Sequence, residues 1–297
     1  VPERWSSGSR VRDRSVPPAG RPAIGDRPRR DRRRVGDTPA VARIAVIGLG
    51  EAGSAIARDL RAAGAAVVGF DPAVPDGGVE PAASAAEAAG GADVVLSVNA
   101  ASAAGDVARS VAGALGPDAV FADLNTASPG AKRAVAAIVE AGPGGARFAD
   151  VALMAPVAGR GLRTPALVSG PGADRFADVV GRLGMPVTAI GPEAGAAAAR
   201  KLVRSVFMKG LAAAIGEALE AAEAIGGRDA LYADIAATLT GADEALLRRL
   251  VEGSAQHAAR RAEEMAAARA MLEELGVEPR VAAASEAWLR SLRAAGG

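Results

Sequence analysis

The chain has 297 residues, enough for two domains with their own cores. It contains no cysteine and one histidine, which excludes disulfides, thiolate metal sites and a cysteine nucleophile and argues against a histidine-based metal centre. The formal net charge of +1 conceals +6 in residues 1–42 and −5 in residues 43–297.

Residues 1–42 hold eleven Arg with many Pro, Ser and Gly and no periodic apolar pattern, and are expected to be a disordered basic tail. Three readings of this tail compete. The Arg29–Arg34 run could bind nucleic acid electrostatically. A targeting segment would need an apolar stretch that does not follow. The third reading, which is favoured, is a displaced start: the chain begins with Val1, and Val35 or Val41 stands just ahead of the first strand. On it nucleic acid is not an expected partner.

From Arg43 the chain alternates strand and helix, the pattern of a parallel sheet. Strands are expected at Arg43–Ile47, Ala66–Phe70, Asp93–Val98, Ala119–Asp123, Arg147–Ala152, Ala166–Ser169 and Val187–Ile190. Helices are expected from the glycine loop to about Ala63, near Ser84–Ala89, over Ala103–Leu115, and after Ser128-Pro129, a cap followed by proline at the first helical position. Beyond Gly191-Pro192 only helical periodicity remains. A long segment spans Glu193–Ala224, a block covers Ser254–Leu275 and a shorter helix lies around Val281–Leu292. The fold class is therefore α/β: a doubly wound Rossmann domain over 43–190 and an all-α substrate or dimerisation domain over 191–297. Apolar runs stay short of the roughly 18 residues that span a bilayer, so a soluble, cytoplasmic protein is expected.

The first strand runs into Gly48-Leu49-Gly50-Glu51-Ala52-Gly53, a G-x-G-x-x-G loop that opens a helix. In this pattern Gly48 makes the tight turn, Gly50 lets a pyrophosphate approach bare backbone, and Gly53 lets helix pack on strand. The helix N-terminus offers free N–H groups and a positive dipole end to phosphates. Glu51 is expected to face solvent and complement that dipole. The second strand ends at Asp71, close to the ~20 residues beyond the motif where a carboxylate holds both ribose hydroxyls. The cofactor is accordingly NAD in preference to NADP: Asp71 would repel a 2′-phosphate, and Pro72-Ala73-Val74 provides no arginine to clamp one.

Three further segments occur in an order that resembles the β-hydroxyacid dehydrogenases, the family of 3-hydroxyisobutyrate and 6-phosphogluconate dehydrogenases. Asp150–Gly159 resembles the family's substrate-binding stretch, D-A-P-V-S-G-G, with Ala158 where serine is usual and extra residues after the aspartate. Gly191–Ser205 resembles its catalytic helix, where Lys201 matches the lysine and Ser205 stands at the asparagine position. Asp123-Leu124-Asn125-Thr126-Ala127-Ser128-Pro129 is similar to the D-x-S-T-x-S-P stretch beside the nicotinamide. The likeness covers residues 43–297, and the His257–Arg261 region points to a subgroup with a 6-phosphogluconate dehydrogenase-like helical domain.

The resemblance implies a hydride transfer between a nicotinamide and a small hydroxy acid or its oxo form, with Lys201 as general acid/base and Ser205 assisting. Such a step needs a group to take or return the hydroxyl proton, and an amine does so when burial and neighbouring cations lower its pKa. Arg200 and Arg204 are the neighbours expected to do this. The chain has 32 Arg and only three Lys (Lys132, Lys201 and Lys209), which marks the lysine at this position. A lysine lying along the surface of an Ala-rich helix is the competing reading. Asn99 and Thr126 are expected at the cofactor, with Asn125 between it and the substrate. Ala158 and Gly159 are expected to shape the substrate loop, and His257 with Arg261 to form a cationic patch for a carboxylate or phosphate. A solvated face pairing Arg260 with Glu263 or Glu264 is the alternative for that last region. The family implies a homodimer that completes the cleft. Two other functions are open: a non-catalytic dinucleotide-binding sensor or scaffold, which the departures at Ala158 and Ser205 leave open, and an imine reductase. No metal and no membrane partner are expected.

Overall fold

The computed structural model describes residues 41–74 and 77–295. The chain divides into two units, residues 1–40 and 41–297, and all described residues belong to the second. The expectations for the tail (disorder, a displaced start, nucleic-acid contact) concern residues that, but for 41 and 42, lie outside those described.

Strand β1 (Arg43–Ile47) leads through helix α1 (Glu51–Ala62) to β2 (Ala66–Phe70). A two-residue strand β3 (Glu80–Pro81) and a short helix α2 (Ala85–Ala89) precede β4 (Val94–Ser97). Then come α3 (Ala104–Val111), β5 (Val120–Asp123), α4 (Pro129–Glu140), β6 (Arg147–Leu153), β7 (Ala166–Ser169), α5 (Ala173–Arg182) and β8 (Val187–Ala189). One sheet results, in the order β3-β2-β1-β4-β5-β6-β7-β8. Every neighbouring pair is parallel except β6 with β7. The expected doubly wound parallel sheet is thus present with one reversed pair. Parallel strands need a crossover, usually a helix, and the residues between β6 and β7 hold only a 3-10 turn at Gly161–Arg163.

Alternation along the strands divides the core in two. Ile44 and Val46 of β1 pack on one face with Ile56 and Leu60 of α1 and Phe176 and Val180 of α5. Ala45 and Ile47 pack on the other with Ala108 and Val111 of α3 and Val135 and Val139 of α4. Phe121, Phe148 and Phe176 are wholly buried, each contributing about 1.5–3 kcal/mol relative to exposure. Helix α4 starts as the sequence predicts: the Ser128 hydroxyl accepts from the Ala131 N–H, and Pro129 follows. β3 and α5 are not among the expected elements. α3 ends at Val111 rather than near Leu115, because a turn closes over Ala112–Ala114.

From Ala196 onward every element is helical: α6 (Ala196–Ala224), α7 (Arg228–Thr240), α8 (Glu244–Gln256), α9 (Ala258–Glu274) and α10 (Arg280–Ala295). The expected single block over Ser254–Leu275 is interrupted at His257, whose φ of −115° and ψ of 25° leave the helical region and separate α8 from α9. α6 begins against the sheet, with Ala197 and Ala198 buried. Its middle carries Val203, Val206 and Phe207 in the open, at 71%, 76% and 62% exposure.

Candidate functional site

The loop after β1 shows why glycine stands where it does. Gly48 has φ of +101°, and a Cβ there would lie 2.1 Å from the Val98 carbonyl oxygen. A Cβ on Gly53 would lie 1.8 Å from the carbonyl oxygen of Gly48. Both contacts are with backbone, so neither position admits a side chain. Gly50 differs: a Cβ there meets nothing within 4 Å. It faces a cleft of about 630 Å³, bordered also by Glu51, Ala52 and Gly53 at the start of α1. That volume suits a small-molecule site. It lies beyond the C-terminal ends of β1, β4 and β5, next to the point where the strand order reverses, the place where open α/β sheets bind ligands.

Asp71, just past β2, lines the same cleft. Its Oδ2 accepts from the Leu49 N–H at 2.8 Å, and its Oδ1 from the N–H groups of Ala73 and Val74 at 2.8 and 3.2 Å. The carboxylate thus straps the second strand to the glycine loop, and with three of its about four acceptor sites used it keeps one, on Oδ2, for a further donor. Open backbone at Gly50, a helix N-terminus and a carboxylate in one cleft fit a dinucleotide.

Asn99 and Asn125 hold the loops after β4 and β5 together. Asn125 is buried; its Oδ1 accepts from the Asn99 N–H at 2.7 Å, and its Nδ2 donates to Asp123 Oδ1 at 2.7 Å and Asn99 Oδ1 at 3.0 Å. The Asn125 amide is therefore occupied within the protein, although the residue borders the cleft. Its neighbour Thr126 turns outward.

Lys201 sits at the far wall, in the second turn of α6 and half-buried. Its Nζ donates to Thr126 Oγ1 at 2.9 Å. Burial, then the ammonium groups of Lys132 and Lys209, hold its pKa below the ordinary lysine value, while Asp150 opposes them. The cations responsible are thus the other two lysines and not Arg200 and Arg204, as the sequence had implied.

Lys132, Asp123 and Asp150 carried no assigned task in the sequence. All three are buried: Lys132 Nζ lies 3.0 Å from Asp123 Oδ2 and 3.3 Å from Asp150 Oδ1, and donates to the Asp123 carbonyl oxygen at 2.7 Å. The scarcity of lysine that marks Lys201 marks Lys132 equally.

Five of the residues expected at the site lie elsewhere. Ala158 and Gly159 are exposed and outside the cleft; Ala155, Pro156 and Val157 line it instead. The reason is Asp59 of α1, whose Oδ2 accepts from the Leu162 N–H at 2.9 Å and draws the following turn toward α1. Ser205 lies one turn past Lys201, half-buried, outside the cleft's lining. His257 and Arg261 border a separate groove with Arg248 and Arg249, and share no lining residue with the cleft. Arg261 Nη1 donates to Ser254 Oγ at 2.6 Å, and Arg260 pairs with Glu264 as the solvated-face alternative has it. Among the described residues no cluster of three or more His, Asp or Glu could hold a metal ion, and no helix is long and apolar enough to cross a membrane.

Comparison with known proteins agrees with this geometry. Residues 43–161 match the NAD binding domain of 6-phosphogluconate dehydrogenase, and residues 222–292 match a domain of unknown function, DUF1932. No curated protein matches the sequence. A conserved hypothetical protein from Sinorhizobium meliloti 1021 is 33% identical, over 84% of this chain and 88% of its own, with a TM-score of 0.57. The conserved protein MTH1747, of unknown function and described as structurally similar to 3-hydroxyacid dehydrogenases, is 26% identical over 86% of this chain and 99% of its own, with a TM-score of 0.56. An imine reductase from Myxococcus stipitatus, solved with NADP+ and as a V8 variant with NAD+, shares the fold at 22% identity. The NADP+ complex gives a TM-score of 0.71, over 85% of this chain and 94% of its own.

Proposed function

Because the chain belongs to the β-hydroxyacid dehydrogenase family, in the branch that joins a 6-phosphogluconate dehydrogenase-type NAD-binding domain to a DUF1932 domain, we propose that it interconverts a small hydroxy acid and its oxo form, with Lys201 as general acid/base. The observation that carries this reading is the Lys201–Thr126 contact at the cleft wall, made by an amine whose pKa is lowered.

Gly50 and the first N–H groups of α1 would hold the pyrophosphate, and Asp71 the ribose hydroxyls. The nicotinamide, when bound, accepts or returns the hydride. In the oxidation, neutral Lys201 Nζ takes the substrate's hydroxyl proton; in the reduction, the ammonium form returns it. Thr126, rather than Ser205, is the hydroxyl partner that fixes the amine's direction. Asn99 and Asn125 brace the loop beneath. The backbone of Ala155–Val157 takes the place expected for Ala158 and Gly159 at the substrate.

NAD is the preferred cofactor on this reading, since the Asp71 carboxylate repels a 2′-phosphate. The functional unit on this reading is a homodimer, which the exposed apolar side chains Val203, Val206 and Phe207 on α6 and Leu247, Leu250 and Val251 on α8 support. The role of His257 and Arg261 as carboxylate-binding residues requires that second copy, because within one chain their groove is separate from the cleft.

In the reducing direction an iminium substrate would meet the ammonium form of Lys201, the one titratable side chain on the cleft wall away from Glu51 and Asp71. A carboxylate-bearing substrate is attracted by the same charge. Hydroxy or oxo acids are favoured over imines for that reason. NADH formation across short 3-hydroxy acids and sugar acids tests the assignment; NAD binding with no reaction in either direction, on acids or imines, would favour the sensor instead.

A further inference from the structure

We propose that Lys132, Asp123 and Asp150 form a buried ionic cluster that seats both partners of the Lys201–Thr126 contact and confronts the Lys201 amine with a fixed cation, so that Lys132 is a positioning residue for the reaction. The inference rests on Lys201 being the reactive amine.

The cluster is unusual for its burial. The Lys132 side chain is 1% exposed and both carboxylates are fully enclosed. Removing three charges from water is costly, and well-packed apolar side chains often serve stability as well or better. Stability alone is therefore a poor reason for such a cluster. Its geometry supplies a better one, because each carboxylate has one oxygen on Lys132 and the other on an element of the site.

Asp150 Oδ1 faces Lys132, while its Oδ2 accepts from the Ala198 N–H at 2.9 Å. Ser169 Oγ accepts from the Ala197 N–H at 2.9 Å and donates to Asp150 Oδ2 at 3.4 Å. The first turn of α6 has no capping side chain of its own, since Gly195 precedes it at φ of +93°. Its free N–H groups are satisfied across the fold from β6 and β7 instead. Lys201 follows three residues after Ala198, so the anchor lies one turn beneath the amine.

Asp123 repeats the arrangement on the other side. Its Oδ2 faces Lys132, and its Oδ1 accepts from the N–H of Asn125 at 3.0 Å and from the Asn125 amide at 2.7 Å. Thr126 is the next residue. Helix and loop, which together make the 2.9 Å Lys201–Thr126 hydrogen bond, thus hang from one ammonium group. Thr126, Lys132, Asp150, Ala198 and Lys201 border a single small void.

The charges that bear on Lys201 come from three elements: Lys132 on α4, Asp150 on β6, and Lys209 two turns along α6. Arg200 and Arg204 flank it on its own helix, and Glu51 and Asp71 stand across the cleft. Lys132 and Asp150 act in opposite directions, which gives the test its sign.

The test is a direct titration of Lys201 in the full-length chain without cofactor, by NMR of side-chain-labelled lysine. With three lysines the spectrum is small, and Lys201→Arg and Lys209→Arg assign it. In Lys132→Met, the unneutralised carboxylates are expected to move the Lys201 titration to higher pH. In Asp150→Asn, where the side chain keeps its size and can still accept from the Ala198 N–H through its one oxygen but loses the negative charge facing Lys132, it is expected to move to lower pH. Opposite displacements support the proposal; no displacement, or the same direction in both variants, overturns it. Should Lys132→Met not fold, Asp150→Asn decides alone: movement to lower pH supports the proposal, and an unmoved or raised titration overturns it. The readout needs no substrate. Failure of every hydroxy acid to react would remove the dehydrogenase reading and leave this titration intact.

Discussion

The amine of Lys201 and the hydroxyl of Thr126 stand 75 residues apart in the chain and 2.9 Å apart in space. The contact joins the long helix α6 to the loop after β5, and so closes one wall of the nucleotide cleft. A substrate hydroxyl beside the amine would be held by two groups of known direction.

Lys201→Ala should lower turnover by a factor of about 10²–10⁴, the usual contribution of a general acid/base. Affinity for NAD should stay near wild type, because the glycine loop and Asp71 are untouched. Steady-state NADH formation, with NAD binding by calorimetry alongside, checks both halves; turnover that survives would move the proton transfer to another group.

The pH dependence has a defined sign. Lys201 is held below the ordinary lysine value, chiefly by burial, and oxidation needs its neutral form. The kcat/KM for oxidation should therefore rise with pH through a pKa below that of free lysine, and the kcat/KM for reduction should fall over the same range. A profile flat in both directions would exclude the amine.

The glycines of the loop separate folding from binding. Gly53→Ala places a Cβ 1.8 Å from the Gly48 carbonyl oxygen, and should destabilise the protein by about 3 kcal/mol or more, the upper range of overpacking. Gly50 has φ of −60° and open space around it, so Gly50→Ala should leave the Tm nearly unchanged. It should weaken NAD binding at least ~10-fold, as the methyl group occupies the path of the pyrophosphate. Thermal denaturation and NAD titration of the two variants check the contrast.

Asp71→Ser should reduce the preference for NAD over NADP by removing the charge that repels a 2′-phosphate. It should also cost about 1–2 kcal/mol of stability, since the carboxylate accepts three backbone hydrogen bonds around the loop. An unchanged cofactor ratio in binding assays would remove Asp71 from the ribose site.

Phe207→Asp puts a charge in the exposed apolar stretch of α6. If that stretch is the dimer interface, the variant should sediment as a monomer where the wild type sediments as a dimer. Analytical ultracentrifugation decides it, and a wild-type monomer would remove the second copy from the site.

Much of this protein is legible along the chain because its causes are local. Alternating β-branched residues in Arg43–Ile47 make a strand with two buried faces, and Ser128-Pro129 offers a helix its cap and a proline at the first position. Gly53 is required by a steric contact within a strand–turn–helix of a few residues, and Gly48 by its φ of +101° there, to which the fold adds the Val98 carbonyl oxygen 2.1 Å from where a Cβ would lie. The spacing of Phe176, Val179 and Val180 on α5 carries a helical signal of the same kind, though that helix is not among the expected elements. The order of the glycine loop, the Asn125-Thr126 loop and Lys201 is enough to indicate the cleft.

What only the tertiary structure decided are relations between distant segments. The reversal of β7 follows from a connection too short in helix to cross the sheet. The withdrawal of Ala158 and Gly159 follows from a hydrogen bond to Asp59, 103 residues before Leu162. The ion cluster of Lys132, Asp123 and Asp150 draws on three elements, and no spacing in the sequence announces it. A buried charge takes its meaning from whichever charges the fold brings within a few ångströms, and Coulomb energy depends on that distance and on the exclusion of water, not on separation along the chain.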